Sequence, residues 1–87
     1  MPNQFAYPYL KDGDTNIGSD NSINDIVLSN SSIYEQHCVI NLKEGGIATL
    51  TPRTPDAICM INSVMVNQRT RLYQGCVIVL GKTNMFR

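Results

Sequence analysis

The sequence predicts an all-β sandwich, on three observations. No window of useful length carries the 3.6-residue period of an amphipathic helix. Short apolar or alternating runs recur from end to end. Turn residues separate them at spacings of about 8–12 positions, the rhythm of a sandwich or barrel.

In chain order, Phe5 to Leu10 is an aromatic-rich run closed by Lys11-Asp12-Gly13-Asp14. Thr15-Asn16-Ile17 leads into Gly18, and Asp25-Ile26-Val27-Leu28 runs up to a Ser29-Asn30-Ser31-Ser32 loop. His37 to Leu42 stops at Lys43-Glu44-Gly45-Gly46. The paired glycines there read as a hairpin turn, because no helix follows to offer its N-terminus to a phosphate. Ile47-Ala48-Thr49-Leu50-Thr51 alternates and ends at Pro52. Ile58 to Ile61 and Val64 to Val66 flank Asn62-Ser63, a two-residue hairpin whose serine suits positive φ poorly. Cys76 to Leu80 meets Gly81, and Met85-Phe86 opens a last strand that the end at Arg87 clips.

The 87 residues make one domain, 1–87, with its core from about residue 9 onward. Seven Lys+Arg balance seven Asp+Glu, which argues against a nucleic-acid module built on a basic surface. Charged residues are 16% and apolar ones 43%, a folding composition and not a disordered one. A chain this short has one thin core and little room for a deep catalytic cleft. Cys76-Val77-Ile78-Val79-Leu80 is the longest aliphatic run, far short of the ~20 residues a spanning helix needs, so no membrane insertion is expected. Met1-Pro2-Asn3-Gln4 lacks the marks of a signal peptide. Cys38, Cys59 and Cys76 are odd in number and too widely spaced for a zinc knuckle. Their apolar neighbours predict buried free thiols and a reducing, cytoplasmic setting.

Candidate chemistry is sparse. His37, the one histidine, points to the opposite strand face from Cys38, so the two make no catalytic pair. Asp12, Asp14, Asp20 and Asp25 fall in predicted loops, and Asp12-Gly13-Asp14 is too short for a calcium loop. Arg69 and Arg71 share one side of an extended segment, as a solvated edge or an anion contact. Met60, Met65 and Met85 read as core filling. No catalytic residue, no metal site and no cofactor is expected.

Four stretches in order carry a family resemblance. They are Asp12-Gly13-Asp14-Thr15-Asn16-Ile17-Gly18, Asp25-Ile26-Val27-Leu28, Glu35-Gln36-His37-Cys38-Val39-Ile40, and Leu72 to Gly81 with Asn84-Met85-Phe86-Arg87. Together they resemble a forkhead-associated (FHA) domain, in particular the one behind the motor of kinesin-3 class transport kinesins. Around Leu50-Thr51-Pro52-Arg53 the chain is also similar to the FHA domain of afadin-type junction scaffolds. The resemblance implies an eleven-stranded sandwich whose loops at one end hold a phosphothreonine peptide. It also implies a cytoplasmic, cytoskeleton-associated parent that hydrolyses ATP and binds microtubules through other domains. This fragment would then be a non-enzymatic module with a protein partner: an adaptor, the motor domain or a second copy.

Carried over position by position, the recognition pattern is degenerate. The family's Gly-Arg falls on Gly18-Ser19, so the glycine is kept and the arginine lost. Its Ser-x-x-His falls on Tyr34-Glu35-Gln36-His37, so the histidine is kept and the serine lost. The Asn that holds the peptide backbone falls near Ala57, and Asn62-Ser63 matches the later, structural turn. Gly18, His37 and Asn62 are thus expected to shape loops, with the His37 ring tying the loops around Gly18 and Ser29 to Ser32. Phosphate needs charged, forked donors, so phosphothreonine reading by the usual contacts is not expected. A displaced basic set of Arg53, Arg69 and Arg71 is the alternative.

Overall fold

Alternate residues along each strand face opposite ways, and here one of the two sets is apolar and buried. A computed structural model describes residues 10–82 and 84–86. Within them, nine strands run β1 (Gly13–Gly18), β2 (Ile26–Val27), β3 (Cys38–Lys43), β4 (Ile47–Pro52), β5 (Cys59–Ile61), β6 (Val64–Met65), β7 (Thr70–Leu72), β8 (Ile78–Leu80) and β9 (Asn84–Phe86). They form two sheets, β2-β1-β3-β4-β7 and β6-β5-β8-β9. All pairings are antiparallel except β1 with β2. The fold is the all-β sandwich expected.

The core lies between the sheets. Ile17, Cys38, Ile40 and Leu50 enter it from the first sheet, and Cys59, Ile78 and Leu80 from the second. All three cysteines are free and buried, as small hydrophobes should be. On the outer face of the second sheet the register lines up Met65, Met60, Val79 and Met85. Met65 and Met85 are largely exposed, so they do not fill the core as expected.

Local chemistry explains where elements begin and stop. Asn62 and Ser63 both take positive φ, 51° and 69°, in a two-residue turn joining β5 to β6. Asn62 also clamps the approach to β8: its backbone N–H donates to Val77 O at 2.8 Å, and its Oδ1 accepts from Val77 N–H at 2.9 Å. Val77 is thereby drawn out of the ladder, and β8 starts at Ile78 and not at Cys76. The β3–β4 hairpin closes through Glu44-Gly45-Gly46, with φ of 89° and 84° at the two glycines.

One expectation is corrected. Asp14 is not a loop residue: β1 begins at Gly13, and the Asp14 Oδ1 accepts from Asn41 Nδ2 at 2.8 Å. Asp25 lies in a connection, as expected, and is tied down there. Its N–H donates to Asn16 O at 2.8 Å, its Oδ2 accepts from Asn16 N–H at 2.8 Å, and its Oδ1 takes Lys11 Nζ at 2.9 Å. That clasp seats β2 parallel on β1. The extended segment holding Arg71 is edge strand β7, paired with β4. The run from Phe5 lies outside the described residues except Leu10, which packs against the core.

Strand direction gathers the connections 19–25, 28–37, 53–58 and the turn at Gly81-Lys82 at one end of the sandwich. The β3–β4 hairpin lies at the other.

Candidate interaction site

At the loop end, close backbone approach sets the geometry. A Cβ on Gly18 would collide with Glu35 O and come within 2.8 Å of Asn24 Nδ2. Only glycine lets the two connections meet there. Asn24 Nδ2 then donates to both Asp20 O and Glu35 O at 2.7 Å. Ser19 N–H donates to Tyr34 O at 3.0 Å, so two positions 15 apart in sequence become neighbours. A second close approach joins the 28–37 connection to the Gly81-Lys82 turn. Gly81, at φ 65°, leaves no room for a side chain against Ser32, whose Oγ accepts Lys82 N–H at 3.1 Å.

His37 holds the base of this end. It is fully buried, its backbone N–H donates to Ile17 O at 2.9 Å, and its carbonyl accepts from Arg53 N–H at 2.9 Å. The ring Nδ1 accepts from Tyr34 N–H at 3.1 Å, and Nε2 faces Ile58 O at 2.8 Å. The ring thus ties the 28–37 and 53–58 connections, at Tyr34 and Ile58, and not the Ser29 to Ser32 stretch. Burial opposes the imidazolium, while Cys59 and the Ile58 carbonyl favour it and on balance raise the pKa. Protonating Nδ1 would nevertheless break the Tyr34 bond, so the geometry itself selects the neutral Nε2–H tautomer.

His37 meets not Cys38 but Cys59, a contact no sequence spacing announces. Cys59 and Cys38 share a hydrogen bond across the two sheets. That bond, with burial, pushes the Cys38 thiol well above its ordinary pKa. The same bond, aided by His37, draws Cys59 down to about 6. Both sulfurs are shut from solvent.

Two hollows flank Tyr34. One, of about 250 Å³, is lined by Ser31, Ser32, Ile33, Tyr34, Asp56, Ile58 and Lys82. The other, of about 410 Å³, is lined by Tyr34, Glu35, Gln36, Arg53 and Thr54. Arg53 Nη2 donates to the neutral Asn16 Oδ1 at 2.9 Å. Each hollow therefore holds one cation and one carboxylate. Asp20, beside Ser19, stays ionised more readily than usual because Ser22 N–H and then Ser22 Oγ–H donate to it.

The sequence-derived positions divide accordingly. Ser19 and Tyr34 come together, and Gly18 and His37 build the frame around them. Ala57 is buried in the core, and its neighbours Asp56 and Ile58 face the smaller hollow instead. Asn62 lies in the second sheet's hairpin. Arg53 borders Tyr34, whereas Arg69 and Arg71 lie along the β7 edge, where Arg71 stacks on the Tyr73 ring at 4.8 Å. Asn24, Asp56 and Lys82 went unmarked in the sequence, being isolated polar residues in loops.

Comparison with known proteins matches residues 15–81 to the FHA domain family. The kinesin-like protein Klp98A of Drosophila melanogaster is 44% identical over 80 residues, 90% of this chain and 6% of that protein. Human kinesin-like protein KIF16B is 41% identical over 81 residues, 91% of this chain and 6% of the relative. Among solved structures, the FHA domain of the CT664 protein from Chlamydia trachomatis superposes with a TM-score of 0.77 at 26% identity, covering 83% of this chain and 73% of that one. The FhaA FHA domain, solved in complex with the intracellular domain of Rv3910, gives 0.74 at 25% identity, covering 83% and 76%.

Proposed function

The chain belongs to the FHA-domain family of non-catalytic, phosphothreonine-binding interaction modules, and from that premise we propose that it holds a protein partner at its loop end without depending on phosphate. The observation that carries this reading is the juxtaposition of Ser19 with Tyr34, flanked by Asp20 and Glu35. Where the family resemblance expects a guanidinium and a small hydroxyl, the mouth carries a hydroxymethyl group, a phenol and two carboxylates. A phosphate of about −1.5 to −2 charges finds repulsion there and no forked donor at either of those two positions.

The parent we infer is a kinesin-like microtubule motor in intracellular transport, cytoplasmic and cytoskeleton-associated, with ATP and microtubules handled by its other domains. The kinesin-like relatives support this over a junction scaffold of the afadin kind. The module's share is contact with an adaptor, with the motor domain or with a second copy.

One observation favours a second reading. Arg53 borders Tyr34 and pairs with no carboxylate among the described residues, which makes it the best-placed member of a displaced phosphate-binding set. A phosphothreonine peptide library and its unphosphorylated counterpart, titrated against the domain, separate the two. Equal capture of both is expected. A phosphate-dependent gain of about tenfold or more, the scale of one charged hydrogen bond, removed by Arg53→Gln, would overturn the first reading in favour of the second.

A further inference from the structure

The larger hollow contains a residue that can be chemically changed. Thr51-Pro52-Arg53-Thr54-Pro55 presents two Thr-Pro steps three residues apart, and the fold treats them differently. Thr51 is a residue of β4, paired with Val39 of β3 in a strand that has β7 on its other side. Reaching it means opening the end of the β3–β4 ladder. Thr54 stands outside the ladder and opens a turn in which its carbonyl accepts from Ala57 N–H at 3.1 Å. The proline after it holds Thr54 in an extended conformation, and its side chain faces the hollow.

We propose that Thr54 is a phosphorylation site for a proline-directed Ser/Thr kinase, and that its phosphate closes the hollow beside Tyr34 by drawing Arg53 away from Asn16. In the transfer, Thr54 Oγ1 forms a bond to the γ-phosphorus of ATP. The β–γ anhydride breaks, ADP leaves and the hydroxyl proton is released. Four charged groups border the product: Arg53 and Glu35 in the same hollow, and Lys82 and Asp56 in the one beyond Tyr34. Arg53 is the cation within reach, and its present bond goes to a neutral amide, which a phosphate dianion outcompetes. Closure as a block to the partner rests on the loop end being the binding surface; modification of Thr54 does not.

The test treats the 87-residue chain with a proline-directed kinase and ATP, then locates phosphate by mass spectrometry of peptides from the wild type, Thr54→Ala and Thr51→Ala. Phosphate is expected on Thr54 in at least about tenfold excess over Thr51, since a loop opens more readily than a residue held in a strand ladder. It should vanish in Thr54→Ala and persist in Thr51→Ala. Phosphate mainly on Thr51, comparable on both threonines, or on neither overturns the assignment. In NMR spectra of the phosphorylated chain, the Arg53 Nε–H and Asn16 side-chain amide resonances should shift, and unmoved resonances would overturn the closure. If both results hold yet the unmodified domain captures no partner peptide, the fault lies with the binding reading and not with this site.

Discussion

Thr15 buries its whole side chain, and its Oγ1 finds no hydrogen-bond partner among the described residues. A hydroxyl so placed has lost water and gained nothing, which costs about 1–3 kcal/mol. Thr15→Val keeps the β-branched shape and removes the hydroxyl. It should stabilise the fold by about 1 kcal/mol, read as a Tm rise of about 4–8 °C for a domain this size. The opposite case is His37, where both ring nitrogens are satisfied against backbone. His37→Ala should destabilise by about 2–4 kcal/mol, because it orphans the Tyr34 N–H and the Ile58 carbonyl and leaves a void. Urea unfolding measures this, and an unchanged midpoint would show that the ring carries no structural role.

At the scale of elements, turn chemistry is the most local constraint and the easiest to test. Ser63 sits at φ 69°, where an L-residue with a side chain is disfavoured by about 1–2 kcal/mol. Ser63→Gly should therefore raise stability by several tenths of a kcal/mol, net of the extra freedom glycine gives the unfolded chain. The clasp between β1 and β2 is electrostatic. Hydrogen bonding from Asn16 N–H, then from Lys11, lowers the Asp25 pKa. A carboxyl held low in the folded state stabilises it above its unfolded pKa, and that contribution is lost as pH falls through the folded value. Stability should thus decline on acidification below about pH 4, and Asp25→Asn should flatten that decline in a series of melts. These two elements also mark what the sequence could and could not reveal. The Asn62-Ser63 hairpin was legible because its signal lies in two adjacent residues between apolar runs. β7 was legible only as an extended edge and not as a partner of β4, since three residues carrying Arg71 and no apolar alternation show no pairing face. The start of β1 hid behind an Asp-Gly-Asp turn signature. Gly18 and His37 were legible through the family resemblance, whereas the Asn24 bridge and the core position of Ala57 depend on contacts made only after folding.

Across the whole molecule, the two sheets share one core, and the three thiols report on its integrity. The Cys59 thiol is drawn below its ordinary pKa, yet Cys38, Cys59 and Cys76 are all shielded, and reactivity needs access as well as thiolate. A thiol reagent should label all three together, at a rate that follows global unfolding and accelerates with denaturant. Fast labelling of Cys59 alone in the native state would mean that the sheets separate locally near His37. The same architecture divides the molecule into an end that cannot change length and an end that can. The loop connections are cross-stitched at Gly18, Asn24, Tyr34 and Ser32, so an inserted residue would tear several bonds at once. At the far end, nothing lies within 4 Å of where side chains on Gly45 or Gly46 would project. A peptide tag or fluorophore spliced between them should leave the fold unaltered, since exposed tips with few contacts accept insertions. That position is a handle for immobilising the domain with its loop end facing free solution.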